Sequence, residues 1–276
     1  MIKSMNTETL NLQQYTFEAI QWNEDQHVLE LTLNRPEKKN AINKAMANEL
    51  CYALDYAAQE DNIRVVLISA IGDVFCAGGD LRSMRGEDET TSSTVPERGD
   101  LTDIGIKIRQ LCKPVVIKAH GSVLAGALLL VCNASHVIVA RNAKFSAPEI
   151  KRGLWPYMVM AGLFRLVPKR VGLDFIMRGY EIDAETALEW GLVNQVVYLE
   201  KLDTAVATLI EDLSNLPPKT MKIGLEAYNK QEAESFEDAM PYLASMLDRT
   251  LKEGDAKEGI DAFLEKRLAS WLKDEN

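Results

Sequence analysis

The chain reads as an α/β body followed by an all-helical tail, and three observations predict this. Short aliphatic runs recur as far as about residue 199, with turn residues or helix-period segments between them. Two of those runs end in glycine-containing junctions that lead into a helix. Beyond residue 200 the strand patterns stop and helix-period segments follow one another. The strand, loop, helix unit recurs with imprecise spacing, so a doubly wound sheet and a spiral of stacked turns both stay open on the pattern alone.

Element by element, a polar N-terminal arm precedes FEAIQW and HVLELTL, which carry the alternation of a hairpin, with Asn23, Glu24 and Asp25 as the expected turn. Asn34-Arg35-Pro36 ends the second strand. Asn43 then caps a helix expected to run to about Glu60, because Met46, Leu50, Leu54 and Ala57 share one face. RVVLISA and PVVIKA are apolar enough to be central strands covered on both sides, and HVIVA and KFSA add further strand. Helices are expected near 100–111 and 125–134. In the tail they are expected at 201–215, 219–230, 234–253 and 255–272, punctuated by Pro217-Pro218 and Gly254. Residues 85–99, RGEDETTSSTVPERG, are polar and almost without large apolar side chains, which predicts a mobile loop. The tail suggests a second layer or an oligomerisation element, so the expected division is 1–199 and 200–276.

Composition narrows the function classes. With 276 residues, 47% hydrophobic and 26% charged, the chain is long enough to bury roughly three quarters of its unfolded surface as one unit. The formal net charge of -10 repels nucleic acid and anionic membranes, so a phosphate-bearing ligand needs a local basic site. The first sixteen residues hold no signal-peptide run, and the longest apolar run, Val123 to Cys132, is too short to span a bilayer. A cytoplasmic protein without nucleic-acid or membrane partners is expected. Cys51, Cys76, Cys112 and Cys132 lie far apart, which predicts four buried thiols rather than a metal or redox motif. His27, His120 and His136 fall in or beside strands without ligand spacing, so no metal is expected.

No P-loop, dinucleotide fingerprint, nucleophile elbow or zincin motif is present. Two strand-to-helix junctions are more informative: FCAGGDL (Phe75 to Leu81) after RVVLISA, and HGSVLAGALLL (His120 to Leu130) after PVVIKA. Glycines there let the backbone approach a ligand, and freed N–H groups bind negative charge, although tight turning alone would also call for glycine. Two such junctions converging on one carbonyl oxygen would form an oxyanion hole. A third segment, KFSAPEIKRGLWP (Lys144 to Pro156), sets one carboxyl, Glu149, among Phe145, Ile150, Leu154 and Trp155, which are expected to be packed. Apolar surroundings raise a carboxyl pKa toward the range useful for proton transfer.

Together with NRPEKKNAIN (Asn34 to Asn43), KPVVIKAHGSVLAGA (Lys113 to Ala127) and AETALEWGLVNQVV (Ala184 to Val197), these segments resemble the crotonase superfamily, the enoyl-CoA hydratase/isomerase family, from about Phe17 to the C-terminus. The resemblance implies a spiral of ββα turns that binds an acyl-CoA thioester, with a C-terminal helical region that builds a trimer or a dimer of trimers. It implies catalysis through a thioester enolate held by the N–H groups of Gly79 and Gly126. No cofactor is implied, since coenzyme A arrives with the substrate. Arg35, Lys38 and Lys39 become the candidate phosphate site, and Cys76, Ala77, Asp80 and Leu81 border the adenine end. The loop 85–99 is placed to close over the acyl pocket.

One departure bears on mechanism. Hydratases of the family use two glutamates; Glu149 matches the later one, while Leu129 stands at the earlier position, three residues after Gly126. A leucine can neither hold water nor move a proton. A single carboxyl still suffices to lift a proton from one carbon of an extended enolate and return it to another, so double-bond isomerisation is placed ahead of hydration. Hydration would need a substitute group such as Tyr157 or an ordered water. A thioester-binding protein with little catalysis is the third reading. Trp155 and the run Tyr157 to Met160, which replaces the family's glycine-rich stretch, are expected to line a reshaped acyl pocket.

Overall fold

The computed structural model describes residues 9–87 and 90–272; the first eight residues of the polar arm and residues 88 and 89 of the 85–99 loop lie outside it. The chain opens with the hairpin β1 (Ile20–Asp25) and β2 (Val28–Leu33). The expected turn residues Asn23, Glu24 and Asp25 belong to β1, and the turn falls at Gln26-His27, where Gln26 takes φ 49°. β1 is an edge strand whose outer positions are exposed, so polar residues there lose little.

Helix α1 (Lys44–Gln59) begins where expected, with the Asn43 side chain accepting from the Met46 N–H. Then come β3 (Val65–Ala70), the one-turn α2 (Leu81–Met84), α3 (Leu101–Gln110), β4 (Val115–Ala119), the two-residue β5 (Val123–Leu124), α4 (Leu128–Asn133), β6 (His136–Ala140) and β7 (Lys144–Ser146). Helices α5 (Tyr157–Leu166) and α6 (Lys169–Arg178), β8 (Glu181–Asp183), α7 (Ala184–Glu189) and β9 (Gln195–Val197) complete the body.

The main sheet runs β1-β2-β3-β4-β6-β9, parallel after the first pair. Strand number rises steadily from one edge to the other. A doubly wound sheet reverses direction at a switch point; this one does not, so each turn stacks on the previous one as a spiral. A second stack of short strands follows the same course. Ile42 bridges Gly79, Cys76 bridges Val123, β5 pairs with β7, and β7 pairs with β8. The core lies between these stacks and the helices, with Leu29, Leu31, Ile68, Phe75, Ile117 and Phe145 fully buried.

In the tail, α8 (Leu202–Ser214) covers the opposite face of the sheet, burying Leu202 and Val206 against Val65, Val116 and Ile138. Helices α9 (Pro218–Gln231) and α10 (Phe236–Glu253) form a small cluster of their own around Ile223, Ala227 and Met246. The last helix, α11 (Ala256–Glu265), stops short of residue 272, and Ser270–Leu272 forms a separate 3-10 turn.

The described part of the 85–99 loop is strapped down, contrary to its polar composition. The Asn48 side chain donates to the carbonyls of Val95 and Pro96 and accepts from the N–H of Arg98, and the Glu18 carboxylate accepts from the Ser92 N–H and the Thr91 hydroxyl. Glu49, wholly buried in α1, accepts the N–H groups of Glu18, Ala19 and Ile20 and so fixes the same corner. Of the cysteines, Cys51, Cys76 and Cys132 are buried, Cys112 is half-buried, and all four are free.

Candidate active site

The two glycine junctions meet. Backbone bonds clamp residues 76–80 on both sides. On one side Ala77 N–H donates to the Lys39 carbonyl, Ile42 N–H to Gly78 and Asp80 N–H to Ile42; on the other, Cys76 N–H donates to Ser122 and Leu124 N–H to Cys76. Within this ladder the Gly79 N–H has no hydrogen-bond partner among the described residues. Gly126 is the middle residue of the 3-10 turn Ala125–Ala127, inside the first turn, where an N–H has no intrahelical acceptor. A Cβ added to Gly126 would stand 3.1 Å from the Gly79 nitrogen, so the two unsatisfied donors are neighbours.

This closeness depends on backbone that other residues do not readily adopt. Gly78 has φ +89°, and a Cβ there would lie 2.6 Å from the Gly126 nitrogen. Ala125 is held at φ 53°, a left-handed conformation unusual for alanine, immediately before the second donor.

Both glycines open onto a cavity of about 910 Å³ that Glu149 also lines. Glu149 lies in the 3-10 turn Pro148–Arg152, which β7 delivers to the cleft. Its Oε2 is buried and has no hydrogen-bond partner among the described residues. Burial pushes its pKa above the ordinary carboxylate value, opposed by its own backbone N–H and by the Arg152 charge. The apolar surroundings differ from expectation in part. Phe145 is in the core and Trp155 is half-buried, but Ile150 and Leu154 are 38% and 43% exposed and form the open wall of the cleft.

Leu129, 5% exposed on α4, lines the cleft at the position in question, and no second carboxyl joins Glu149 there apart from Asp80, which is engaged elsewhere. Trp155 and Tyr157 also line it. The Trp155 indole N–H is directed to the Met160 sulfur at 3.2 Å, and Tyr157 is 68% exposed at the start of α5. Of the run that follows, Met158 and Val159 reach the cavity.

At the expected nucleotide end, Lys38, Lys39, Ala77, Asp80 and Leu81 line the cleft, but Arg35 and Cys76 do not. Arg35 is 6% exposed; its guanidinium donates to the Ala41 carbonyl and pairs with Asp80 at 3.2 Å, so it braces the wall from behind. Cys76 is fully buried and donates its thiol to the Asn40 carbonyl, with its pKa pushed up to about 12. Asp80 also caps α2, accepting from the N–H groups of Arg82 and Ser83; burial raises its pKa, and Arg35 and these N–H groups reverse that to a net lowering. Three residues here lie outside those expected from sequence: Asn40, wholly buried, whose amide accepts the Arg35 N–H and donates to the carbonyls of Ile71 and Val74, and the lining cations Arg82 and Arg152. A polar residue at consecutive positive φ, as at Lys39 and Asn40, has no distinct sequence signal. Arg152, three residues after Glu149, did have one.

His27, His120 and His136 each hydrogen-bond to nearby backbone or hydroxyl groups away from the cleft, and no cluster of His, Cys, Asp and Glu suited to a metal occurs among the described residues.

The spiral fold is shared with solved structures. An enoyl-CoA hydratase of Mycobacterium smegmatis superposes with TM-score 0.84 at 29% identity, over 92% of this chain and 99% of that one. The human enoyl coenzyme A hydratase domain-containing protein 3 gives 0.84 at 25%, over 92% and 100%. Residues 23–274 match the family described as enoyl-CoA hydratase/isomerase, and the chain belongs to that family. Its relatives include a trans-2-decenoyl-[acyl-carrier-protein] isomerase of Streptococcus mutans, 32% identical over 91% of this chain and 97% of the relative, and a mevalonyl-coenzyme A hydratase of Aspergillus fumigatus, 30% identical over 89% and 91%.

Proposed function

We propose that this family member moves the double bond of an enoyl-CoA, using Glu149 as its single proton carrier and the N–H groups of Gly79 and Gly126 as the oxyanion hole. The observation that carries this reading is the buried, unpartnered Oε2 of Glu149 in a cleft where Leu129 occupies the place of a second acid.

The ionised carboxyl takes a proton from C2 of a 3-enoyl thioester, and the electron pair of that bond spreads into the carbonyl, placing charge on the thioester oxygen. The two amides hold that charge; losing one such donor costs on the order of 100-fold in rate. The carboxyl then returns the proton at C4, which leaves the double bond at C2 and the Glu149 carboxylate restored. No cofactor enters beyond the CoA of the substrate. The cleft carries Lys38, Lys39 and Arg82 around Gly79, and these are the groups we assign to the CoA phosphates in an otherwise acidic protein. The isomerase among the relatives supports the choice, and the mevalonyl-coenzyme A hydratase keeps water addition as the competing outcome.

Incubation with 3-enoyl- and 2-enoyl-CoA of several chain lengths, with Glu149→Gln alongside, tests this. Interconversion of the two, lost in the variant, is expected. Formation of 3-hydroxyacyl-CoA without interconversion would replace isomerisation by hydration, and tight binding without turnover in either direction would sink the enzyme reading. No helix among the described residues is long and apolar enough to cross a membrane, and we place the protein in the cytoplasm, to be checked by fractionation because some relatives are named mitochondrial. Exposed Phe236, Phe263 and Leu264 on the tail, 75%, 83% and 72% accessible, support the proposed trimer or dimer of trimers, which light scattering would size.

A further inference from the structure

Arg152 stands three residues after Glu149 in the 3-10 turn Pro148–Arg152, and in such a turn side chains at i and i+3 eclipse. Both therefore lie on one face, and both line the cleft. Arg152 is exposed, its guanidinium makes only a long 3.4 Å hydrogen bond back to the Pro148 carbonyl, and it forms no ion pair among the described residues. Its charge reaches the Glu149 carboxyl without forming an ion pair with it, and the Glu149 Oε2 has no hydrogen-bond partner among the described residues. The other lining cations, Lys38, Lys39 and Arg82, belong to the segments around Gly79. This guanidinium thus sits on the turn that carries Glu149, in a cleft that apolar Leu129, Leu154 and Val159 also line.

An acyl chain ending in methyl would strip water from this charge and give nothing back, whereas a carboxylate would meet its planar fork in two parallel hydrogen bonds. We infer that the cleft is shaped for an enoyl-CoA whose acyl chain carries its own carboxylate, a dicarboxylic acyl-CoA, with Arg152 as the specificity-determining residue. The inference rests on the assignment of the cleft to a CoA thioester with Glu149 at the reacting carbons. It adds a coupling: among the described residues Arg152 is the one cation whose charge acts on Glu149, so an anion seated on it strengthens Glu149 as a base once substrate is bound.

Calorimetry on the full chain with glutaryl-CoA, pentanoyl-CoA and free CoA reads this directly, because the two saturated esters match in length and cannot react. Glutaryl-CoA should bind roughly tenfold or more tightly than pentanoyl-CoA, the scale of a charge-assisted hydrogen bond. That ratio should fall to near one in Arg152→Leu and be partly kept in Arg152→Lys. A wild-type ratio near one overturns the inference and leaves the proposed function standing. Equal weakening of both esters and of free CoA in Arg152→Leu overturns it too, by placing Arg152 on the CoA phosphates. Failure of every CoA species to bind would overturn the inference together with the proposed function.

Discussion

A carbon added to Gly126 would stand 3.1 Å from the amide nitrogen of Gly79, so the space in front of one donor is open only because the other donor's residue has no side chain. Gly126 is outside the positive-φ region, so a methyl there asks only that the Gly79 amide give by a few tenths of an ångström, while it crowds the place proposed for the thioester oxygen. Gly126→Ala should therefore melt close to the parent and lose about 100-fold or more in kcat. Gly78→Ala should behave in the opposite way. At φ +89°, with its Cβ 2.6 Å from the Ala125 Cβ, it should cost about 1–3 kcal/mol in a denaturant titration. Full turnover by Gly126→Ala would remove the oxyanion assignment.

The Arg35–Asp80 pair divides cations that look alike in sequence. Its side chains are 7% and 13% exposed, so removing one partner strands a charge in the interior. Arg35→Ala should lose about 3 kcal/mol of stability by urea unfolding. Lys39→Gln and Arg82→Gln, both at exposed positions lining the cleft, should leave the urea midpoint nearly unchanged while weakening CoA-ester binding and flattening its salt dependence. Equal destabilisation by all three would contradict the division.

Glu149, the proposed proton carrier, brings a stability cost with a definite sign. Burial raises its pKa in the folded chain, so the native state holds this proton more tightly than the unfolded one. Stability from this group therefore falls as pH rises from the ordinary carboxylate range through the folded pKa. Glu149→Gln lacks that slope: it should melt higher than the parent at pH 8, the advantage shrinking as pH falls toward 4.5, while having no isomerase activity. In the parent, the acidic limb of the rate profile should lie above the ordinary carboxylate value. A variant that melts lower at pH 8 would show the carboxylate to be stabilising.

Local pattern carried much of this. The apolar runs of β3, β4 and β6 and the Asn43 cap declare themselves over a few residues, and the segments that bring Gly79, Gly126 and Glu149 to one cleft stand out by spacing that matches a family. What stayed hidden depends on distant partners. Arg35 is withdrawn from the cleft by an aspartate forty-five residues on, and Cys76 by the Asn40 carbonyl. Loop 85–99 looks unanchored until Glu18 and Asn48 supply its bonds from elements far away in sequence. Asn23 to Asp25 have turn chemistry, yet the edge position of β1 overrides it.

Leu129 gives the sharpest test of mechanism, because it is the one place where a single substitution should change the reaction. It is 5% exposed on the cleft wall and packs toward Gly105, whose ideal Cβ would lie 3.1 Å from its Cδ1. Leu129→Glu brings a second carboxyl into the cavity that holds Glu149. Two carboxyls in one low-polarity site do not both ionise readily, so one stays protonated near neutral pH while the other accepts a proton. That is the pairing water addition needs: a base to activate the water and an acid to protonate the carbon next to the thioester. The variant should consume 2-enoyl-CoA with loss of the conjugated thioester absorbance and form 3-hydroxyacyl-CoA, at a stability cost of about 1–3 kcal/mol for placing a polar group on a packed face. Leu129→Gln, equal in size and unable to ionise, should show the cost without the new product. If Leu129→Glu folds and forms no more 3-hydroxyacyl-CoA than the parent, the missing carboxyl is not what separates this cleft from a hydratase, and the side chains of Trp155 and Tyr157 become the next to exchange.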